Sequence, residues 1–298
     1  MTPLLVSNEV AQAITAGKPV VALETSIVGQ GLPAPHNLRA ALGCEAAIRE
    51  EGGVPATVAV LDGRLRVGLT REDLERIARD SHKVSSRDLG PTLARGQAGA
   101  TTVAATMRAA ALVGIRFLAT GGIGGVHRGH PEDQSADLAE LGRTAVAVFC
   151  AGPKIILDLA LTLERLESLS VPVLGYGTDE LPAFYTRRSG CPVSARVDGA
   201  DEAARAIAAA WQTGTAGIVV AIPPPKELPD VEAMVERAVR ELTAVGGGEL
   251  TPRLLAKVAE LSDGRSLDIN VDLVINNARI AAQVARAYSE EAGQPAAQ

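Results

Sequence analysis

Apolar residues along this chain come in two rhythms. Short runs rich in Val, Ile and Ala alternate with longer segments in which apolar positions recur every three or four residues. Short runs of that kind suit strands and the longer spacing suits amphipathic helices, so the alternation is that of an α/β layered domain. The runs predict strands at 20–23, 57–61, 65–69, 116–119, 145–150, 171–176 and 217–222. Within "TVAVLDGRLRVGL", Asp62-Gly63 separates two alternating stretches, which is a hairpin signal and predicts a mixed sheet. Helices are predicted over "NLRAALGCEAAIREEG", over "TREDLERIARD" with Thr70 three residues before Asp73, over "TTVAATMRAAALVG", and over "PKIILDLALTLERLES" with Pro153 suited to a first turn. Three more follow Asp201, Pro229 and Thr251, a last one runs from about 270 to 288, and the ending from about 289 reads as a frayed tail. No repeat, low-complexity block or Pro/Ser linker interrupts the pattern, which predicts one domain over 1–298.

Composition narrows the function. With 298 residues and 47% hydrophobic content the chain can bury a sizeable core. Its net charge is -6, its pI is about 5.4, and aromatic residues make up 2%, so the basic, stacking surface that nucleic acid requires is missing. The N-terminal stretch lacks the pattern of a secretory leader and no apolar run reaches membrane-spanning length, so the expectation is a cytoplasmic protein. Cys44, Cys150 and Cys191 are odd in number and show no metal or redox spacing, so they are expected to be reduced, buried thiols. Only five of the 29 basic residues are lysine, so a lysine in an unusual place stands out.

One such lysine is Lys154 in "AVFCAGPKIILDLALTLERL", between a core strand and a very apolar helix. A desolvated lysine loses proton affinity, and its neutral amine can attack a carbonyl carbon to form a Schiff base; the alternative is a stem covering apolar surface with its ammonium in water. Glu24 poses a related question, because "VVALETSIVGQG" places a carboxylate where a core strand ends, either in solvent or in a pocket. "ATGGIGGVHRGHPEDQSADL" brings glycines, histidines and acids together after a strand. Its backbone amides suit an anion and its acids suit a hard divalent cation, while a tight turn and a solvated acidic loop are the plainer readings. It matches neither the dinucleotide fingerprint nor a P-loop, which argues against a sugar kinase. In "SHKVSSRDLG", Lys83 and Arg87 bracket two serines, as in an anion clamp or a surface turn.

Taken together, "ALETSIVGQGLPAPHN", "KVSSRDL", "GATTVAATM", "ATGGIGGVHRG", "SADLAEL", "CAGPKIILD", "GYGTDELPAFY" and "NVDLVINNA" closely resemble the pseudouridine-5'-phosphate glycosidase (indigoidine synthase A-like) family, in order from about Val20 to the last helix. The resemblance implies a three-layer α/β/α fold with a mixed sheet, a homotrimer, and the reversible, Mn²⁺-dependent cleavage of the C–C glycosidic bond of pseudouridine 5'-phosphate to uracil and ribose 5-phosphate. It implies one Mn²⁺ per subunit and a place in pseudouridine catabolism. The competing readings are a related lyase or synthase acting on another C-nucleoside phosphate, and a catalytically silent α/β module.

The resemblance also implies roles for particular residues. Glu24 matches the proton donor that would protonate the departing uracil carbon, and Lys154 matches the nucleophile that attacks ribose C1'. Asp133 matches the metal-binding aspartate. Ser135, Ala136 and Asp137 align with a substrate-contacting segment, Lys83 with a substrate-contacting lysine, and Val103 with a contact made through the backbone. Thr120 and His127 are expected to touch phosphate or ribose, and Asn270 aligns with an active-site asparagine, with Asn276 and Asn277 as alternates. Two departures stand out. "GHPED" is shorter than the family pattern, which gives Asp133 a competitor in Glu132, and Ser86 stands where a basic residue is expected.

Overall fold

The computed structural model describes residues 3–241 and 250–292. Its strands are β1 (Leu4–Val6), β2 (Val20–Leu23), β3 (Val54–Leu61), β4 (Arg64–Val67), β5 (His82–Val84), β6 (Gly99–Thr101), β7 (Phe117–Ala119), β8 (Val126–His127), β9 (His130–Gln134), β10 (Ala147–Cys150), β11 (Leu157–Asp158), β12 (Val173–Tyr176), β13 (Ala195–Val197) and β14 (Ile218–Ala221). Its α-helices are α1 (Asn8–Thr15), α2 (His36–Glu50), α3 (Arg71–Arg79), α4 (Leu89–Arg95), α5 (Val103–Leu112), α6 (Ala136–Leu141), α7 (Leu159–Ser168), α8 (Ala200–Gln212), α9 (Val231–Glu241), α10 (Leu250–Leu261) and α11 (Arg265–Ala292).

One large sheet runs in the order β1-β4-β3-β2-β7-β10-β14-β12-β13, with β6 paired to β3 and β5 to β6. Its central strands are parallel, and β3 pairs antiparallel with β4 and β6. The β3–β4 hairpin turns at Asp62 (φ 53°) and Gly63 (φ 69°), the two left-handed residues that Asp-Gly supplies most readily. Successive side chains of the central strands enter different cores. Val21, Leu23, Phe117, Ala119, Phe149 and Val220 face α2, α8 and α11, while Val20, Ala22, Leu118, Val148, Cys150 and Val219 face α1, α5, α6 and α7. Burial on both faces explains why these strands read as unbroken apolar runs rather than alternating ones. The result is the α/β layered fold with a mixed sheet that the pattern and the family predict.

Local signals set several helix starts. Thr70 and Asp73 form a reciprocal capping box before α3, and Thr102 and Ser135 cap α5 and α6. Strands β1, β5, β6 and β13, three residues each, escaped prediction, as did β8, β9 and β11, whereas β7 is as short but lies in a wholly apolar run.

Four expectations need correction. The helix expected from Pro153 begins at Leu159, capped by Asp158, which accepts from the Leu161 amide at 3.0 Å. Pro153 instead bridges to Ile123 in the glycine-rich loop, so Lys154 stands on a loop and opposes no helix dipole. The last helix starts at Arg265, because Gly264 (φ 78°) ends the preceding turn and Leu267 and Ile269 bring the following residues onto the core. Helix α11 also reaches Ala292, so the first part of the expected tail is helical, and the remainder lies outside the described residues. Among the thiols, Cys44 and Cys150 are buried, with burial pushing Cys150 up to about 12, whereas Cys191 is half-buried. No helix among the described residues is long and apolar enough to cross a membrane.

Candidate active site

The parallel strands β2, β7 and β10 end on the same edge of the sheet, the edge where α/β folds place ligands. A cavity of about 1200 Å³ opens there. Glu24, Lys83, Val103, His127, Asp133, Ser135, Ala136, Asp137 and Lys154 all line it. Nine of the eleven residues singled out in the sequence therefore meet in one space, although they are spread over some 130 positions from Glu24 to Lys154.

Glu24 is the first residue beyond β2 and is only 8% exposed. Its carboxylate lies between two hydroxyls, accepting from Ser26 on one oxygen and from Thr120 on the other. Beneath it, the Thr25 and Thr101 hydroxyls both donate to the Val58 carbonyl at 2.7 Å, and the Thr101 amide donates to Thr25 Oγ1 at 2.9 Å. A buried acid is tolerated because both of its oxygens accept hydroxyl hydrogen bonds. The carboxylate thus projects into the cavity rather than into bulk solvent.

Lys154 reaches the same cavity from a loop. Its amide donates to the Ile123 carbonyl at 3.1 Å, and the Ile123 amide donates to the Gly152 carbonyl at 3.2 Å. Gly152 has φ 82°, and a Cβ there would stand 1.9 Å from the Pro182 carbonyl oxygen, so only glycine fits. The Phe184 amide donates to the Ala151 carbonyl at 2.8 Å. This gives "GYGTDELPAFY" a place: residues 182–184 strap the Lys154 loop from below. On the other side, Arg128 Nε donates to the Leu157 carbonyl at 3.0 Å and Nη2 to the Ile155 carbonyl at 2.8 Å.

The remaining wall carries charges of both signs. Lys83 is exposed at the cavity, and partial desolvation by its walls, then the charge of Lys154, hold its ammonium below the usual lysine range against the opposing pull of Asp137, Glu24 and Asp88. Asp137 is buried, and both its oxygens accept backbone amides, from Ala104 at 2.9 Å and Gly124 at 2.8 Å. It therefore ties the start of α5 to the glycine-rich loop. Gly124 is needed there because a Cβ would meet Ser135 Oγ at 2.2 Å. His127 Nδ1 lies 3.0 Å from the Asp133 carbonyl oxygen and 3.4 Å from Asp133 Oδ2. Of the two acids weighed as metal ligands, Asp133 faces the cavity and Glu132 does not line it.

Thr120 and Asn270 depart from expectation, since neither lines the cavity. Thr120 is 1% exposed and directs its hydroxyl to Glu24, so it orients the acid instead of meeting a ligand. Asn270 is buried behind Gly121, and its Oδ1 has no protein partner. The alternate Asn277 donates to the Thr120 carbonyl at 2.9 Å and so braces the residue that braces Glu24. Ser26 and Arg128 went unnoticed in the sequence; adjacency to Glu24 signals the first, and no local pattern signals the second.

A profile of the family described as "Indigoidine synthase A like protein" matches residues 9–287. The chain belongs to this family. Among indigoidine synthase A-like relatives, a pseudouridine-5'-phosphate glycosidase of Nocardioides sp. is 53% identical over 96% of this chain and 97% of its own length. A protein of the same name from Escherichia coli is 50% identical over 97% of each chain. Two solved structures share the fold. The prealnumycin C-glycosynthase AlnA, in complex with ribulose 5-phosphate, is 37% identical with a TM-score of 0.89, covering 98% of this chain and 99% of its own. An indigoidine synthase A-like protein of Thermotoga maritima is 33% identical with a TM-score of 0.88, covering 96% of each.

Proposed function

We propose that this protein is a pseudouridine-5'-phosphate glycosidase, which cleaves the C–C bond between uracil C5 and ribose C1' reversibly to give uracil and ribose 5-phosphate. One observation carries the proposal: an acid at a strand end and a loop-borne lysine open into one cavity beside a second, anion-competent lysine. Relatives at 50–53% identity over nearly the whole chain bear that name, against 37% for the C-glycosynthase, which favours cleavage of a C-nucleotide over synthesis of another C-glycoside.

The chemistry explains why both groups are needed. A carbon leaving group is much poorer than the oxygen or nitrogen that ordinary glycosidases expel, so covalent assistance from an amine is valuable. Lys154 attacks C1' as a neutral amine, the C1'–O4' bond breaks to open the ribose ring, and O4' takes up the proton that the new C1'–N amine releases. As the C1'–C5 bond breaks, its electron pair passes to uracil C5, which takes a proton delivered by Glu24, and an imine remains between Lys154 and C1'. Water hydrolyses the imine, releasing ribose 5-phosphate and the free amine.

Around these steps, Ser26 and Thr120 orient Glu24, Lys83 meets the phosphate, and Val103 with the Ser135, Ala136 and Asp137 segment shapes the phosphate and ribose side of the cavity. His127 faces the sugar. Among the described residues no trio of His, Cys, Asp or Glu side chains gathers as a metal cage. The cavity-lining carboxylate that this proposal gives to the metal is Asp133, and a single carboxylate suits a largely hydrated divalent cation such as Mn²⁺. When bound, such an ion supplies positive charge and ordered water beside the substrate. In this proposal the chain works as one domain in a cytoplasmic homotrimer.

The test is intact-protein mass spectrometry after incubation with ribose 5-phosphate and borohydride in the presence of Mn²⁺. A reduced sugar-phosphate adduct on Lys154 in the wild type, missing in Lys154→Ala, is the expected result; no adduct, or one on another lysine, overturns the proposal.

A further inference from the structure

Lys154 sits in a stretch, 151–156, with no helix or strand of its own. A nucleophile on such a stretch is accurately placed only if its backbone is held from outside. The upstream side is held by the strap and by the Ile123–Pro153 bridge. Downstream, the antiparallel pairing of β8 with β11 is two residues long, Leu157 with His127 and Asp158 with Val126. Leu157, the third residue after Lys154, is held by that pair and by its amide, which donates to the Lys154 carbonyl at 2.9 Å; Ile155, the first, lies outside the ladder and needs a further tether.

Arg128 provides it. Its guanidinium donates two bonds in a fork, at 3.0 Å to the Leu157 carbonyl and 2.8 Å to the Ile155 carbonyl, so both go to backbone and neither to a carboxylate. A planar guanidinium spans two carbonyls in one rigid geometry, which a compact ammonium on a flexible stem does not reproduce. Arg128 does not line the cavity, so it is placed to act on the loop and not on a ligand. It also stands in the glycine-rich "GGIGGVHRG" segment, next to His127 and five residues before Asp133, both of which do line the cavity. One side chain thus couples the glycine-rich wall to the lysine-bearing wall.

We infer that Arg128 is a positioning residue for Lys154: its guanidinium, acting through the Ile155 and Leu157 carbonyls, sets where the amine stands for attack on the sugar carbon. The inference rests on the proposed role of Lys154 as nucleophile. Its signature is a loss in the rate of covalent attack and not in sugar-phosphate binding, because Lys83 and the α5 wall do not depend on the fork. A misplacement on the order of 1 Å can lower a rate by about a hundredfold.

The experiment follows the time course of borohydride-trapped adduct on Lys154 with ribose 5-phosphate, in wild type, Arg128→Ala and Arg128→Lys, alongside melting temperature and the half-saturating sugar-phosphate concentration. Arg128→Ala is expected to slow trapping by about ten- to a hundredfold while half-saturation stays within about twofold. Arg128→Lys should recover little of the loss. Low-millimolar guanidinium should speed Arg128→Ala several-fold and leave wild type unchanged. Trapping in Arg128→Ala within about twofold of wild type overturns the inference, and so does a rate loss that guanidinium does not relieve and that tracks a lower melting temperature. If wild type itself forms no Lys154 adduct, the nucleophile assignment has failed and the inference falls with it, a result that the wild-type control alone identifies.

Discussion

Glu24 stands one residue beyond β2, whereas Lys154 stands four residues beyond β10, and the difference decides how each is held. Next to the sheet, the backbone is already placed by the ladder, and what needs control is the direction of a short side chain. Two hydroxyls, from Ser26 and Thr120, provide it. Farther out, the ladder no longer reaches, and what needs control is the backbone. Carbonyl and amide contacts to Ile123, Phe184 and Arg128 provide that. The Glu24 carboxylate is therefore held by side-chain hydrogen bonds, and the Lys154 loop by main-chain anchors.

The comparison is broken most severely at the reacting groups. Glu24→Gln is expected to lower turnover by about 10²- to 10⁴-fold while still yielding borohydride-trapped adduct with ribose 5-phosphate, since trapping the sugar needs no base protonation. Loss of trapping in Glu24→Gln would show that the two groups are not separable. Gly152→Ala attacks the anchoring of the lysine loop: a Cβ 1.9 Å from the Pro182 oxygen, at φ 82°, should cost roughly 3 kcal/mol or more. Thermal unfolding should register a fall of roughly 6 °C or more, and an unchanged melting temperature would mean that the strap yields freely.

Thr120→Val probes the other side. Removing one of two hydroxyls on Glu24 should lower turnover about tenfold, equivalent to about 1.4 kcal/mol, with little change in adduct trapping. Equal losses in turnover and trapping would remove the distinction between acid-side and amine-side control. The smallest effect concerns pH. In its proposed role Lys83 binds the phosphate in its charged form, and its proton is held less tightly than that of an ordinary lysine, so the charge is lost as pH rises while an ordinary lysine would still be protonated. KM should therefore climb with pH below the usual lysine range. Lys83→Arg, whose guanidinium keeps its charge, should carry that rise to higher pH. An unshifted KM profile in Lys83→Arg would assign the alkaline rise to another group.

Much of this was legible in the chain. The central strands, the Asp62-Gly63 hairpin and the Thr70–Asp73 capping box follow from patterns only a few residues wide, and each stands within a few residues of its expected place. The candidate site was legible through separated motifs, and nine of its expected residues line one cavity. Thr120, taken from its place in the glycine-rich loop, and Asn270, taken from the resemblance, do not line the cavity, because neither loop membership nor alignment says which way a side chain turns. Thr120 turns towards Glu24, 96 residues earlier in the chain, and Asn270 turns behind Gly121. The helix expected at Pro153 failed because its apolar content serves a loop pressed between two others, a context that composition does not reveal.

By itself, then, the sequence determined the α/β alternation, the central strands, the Asp62-Gly63 hairpin and the family, because period and turn chemistry are local properties of a chain. Only the tertiary structure decided that Lys154 hangs from a loop, that Asp137 clamps two backbones, and that Arg128 grips two carbonyls. Each of those depends on groups far apart in sequence being brought within hydrogen-bonding distance, and that closeness is created by packing the layers.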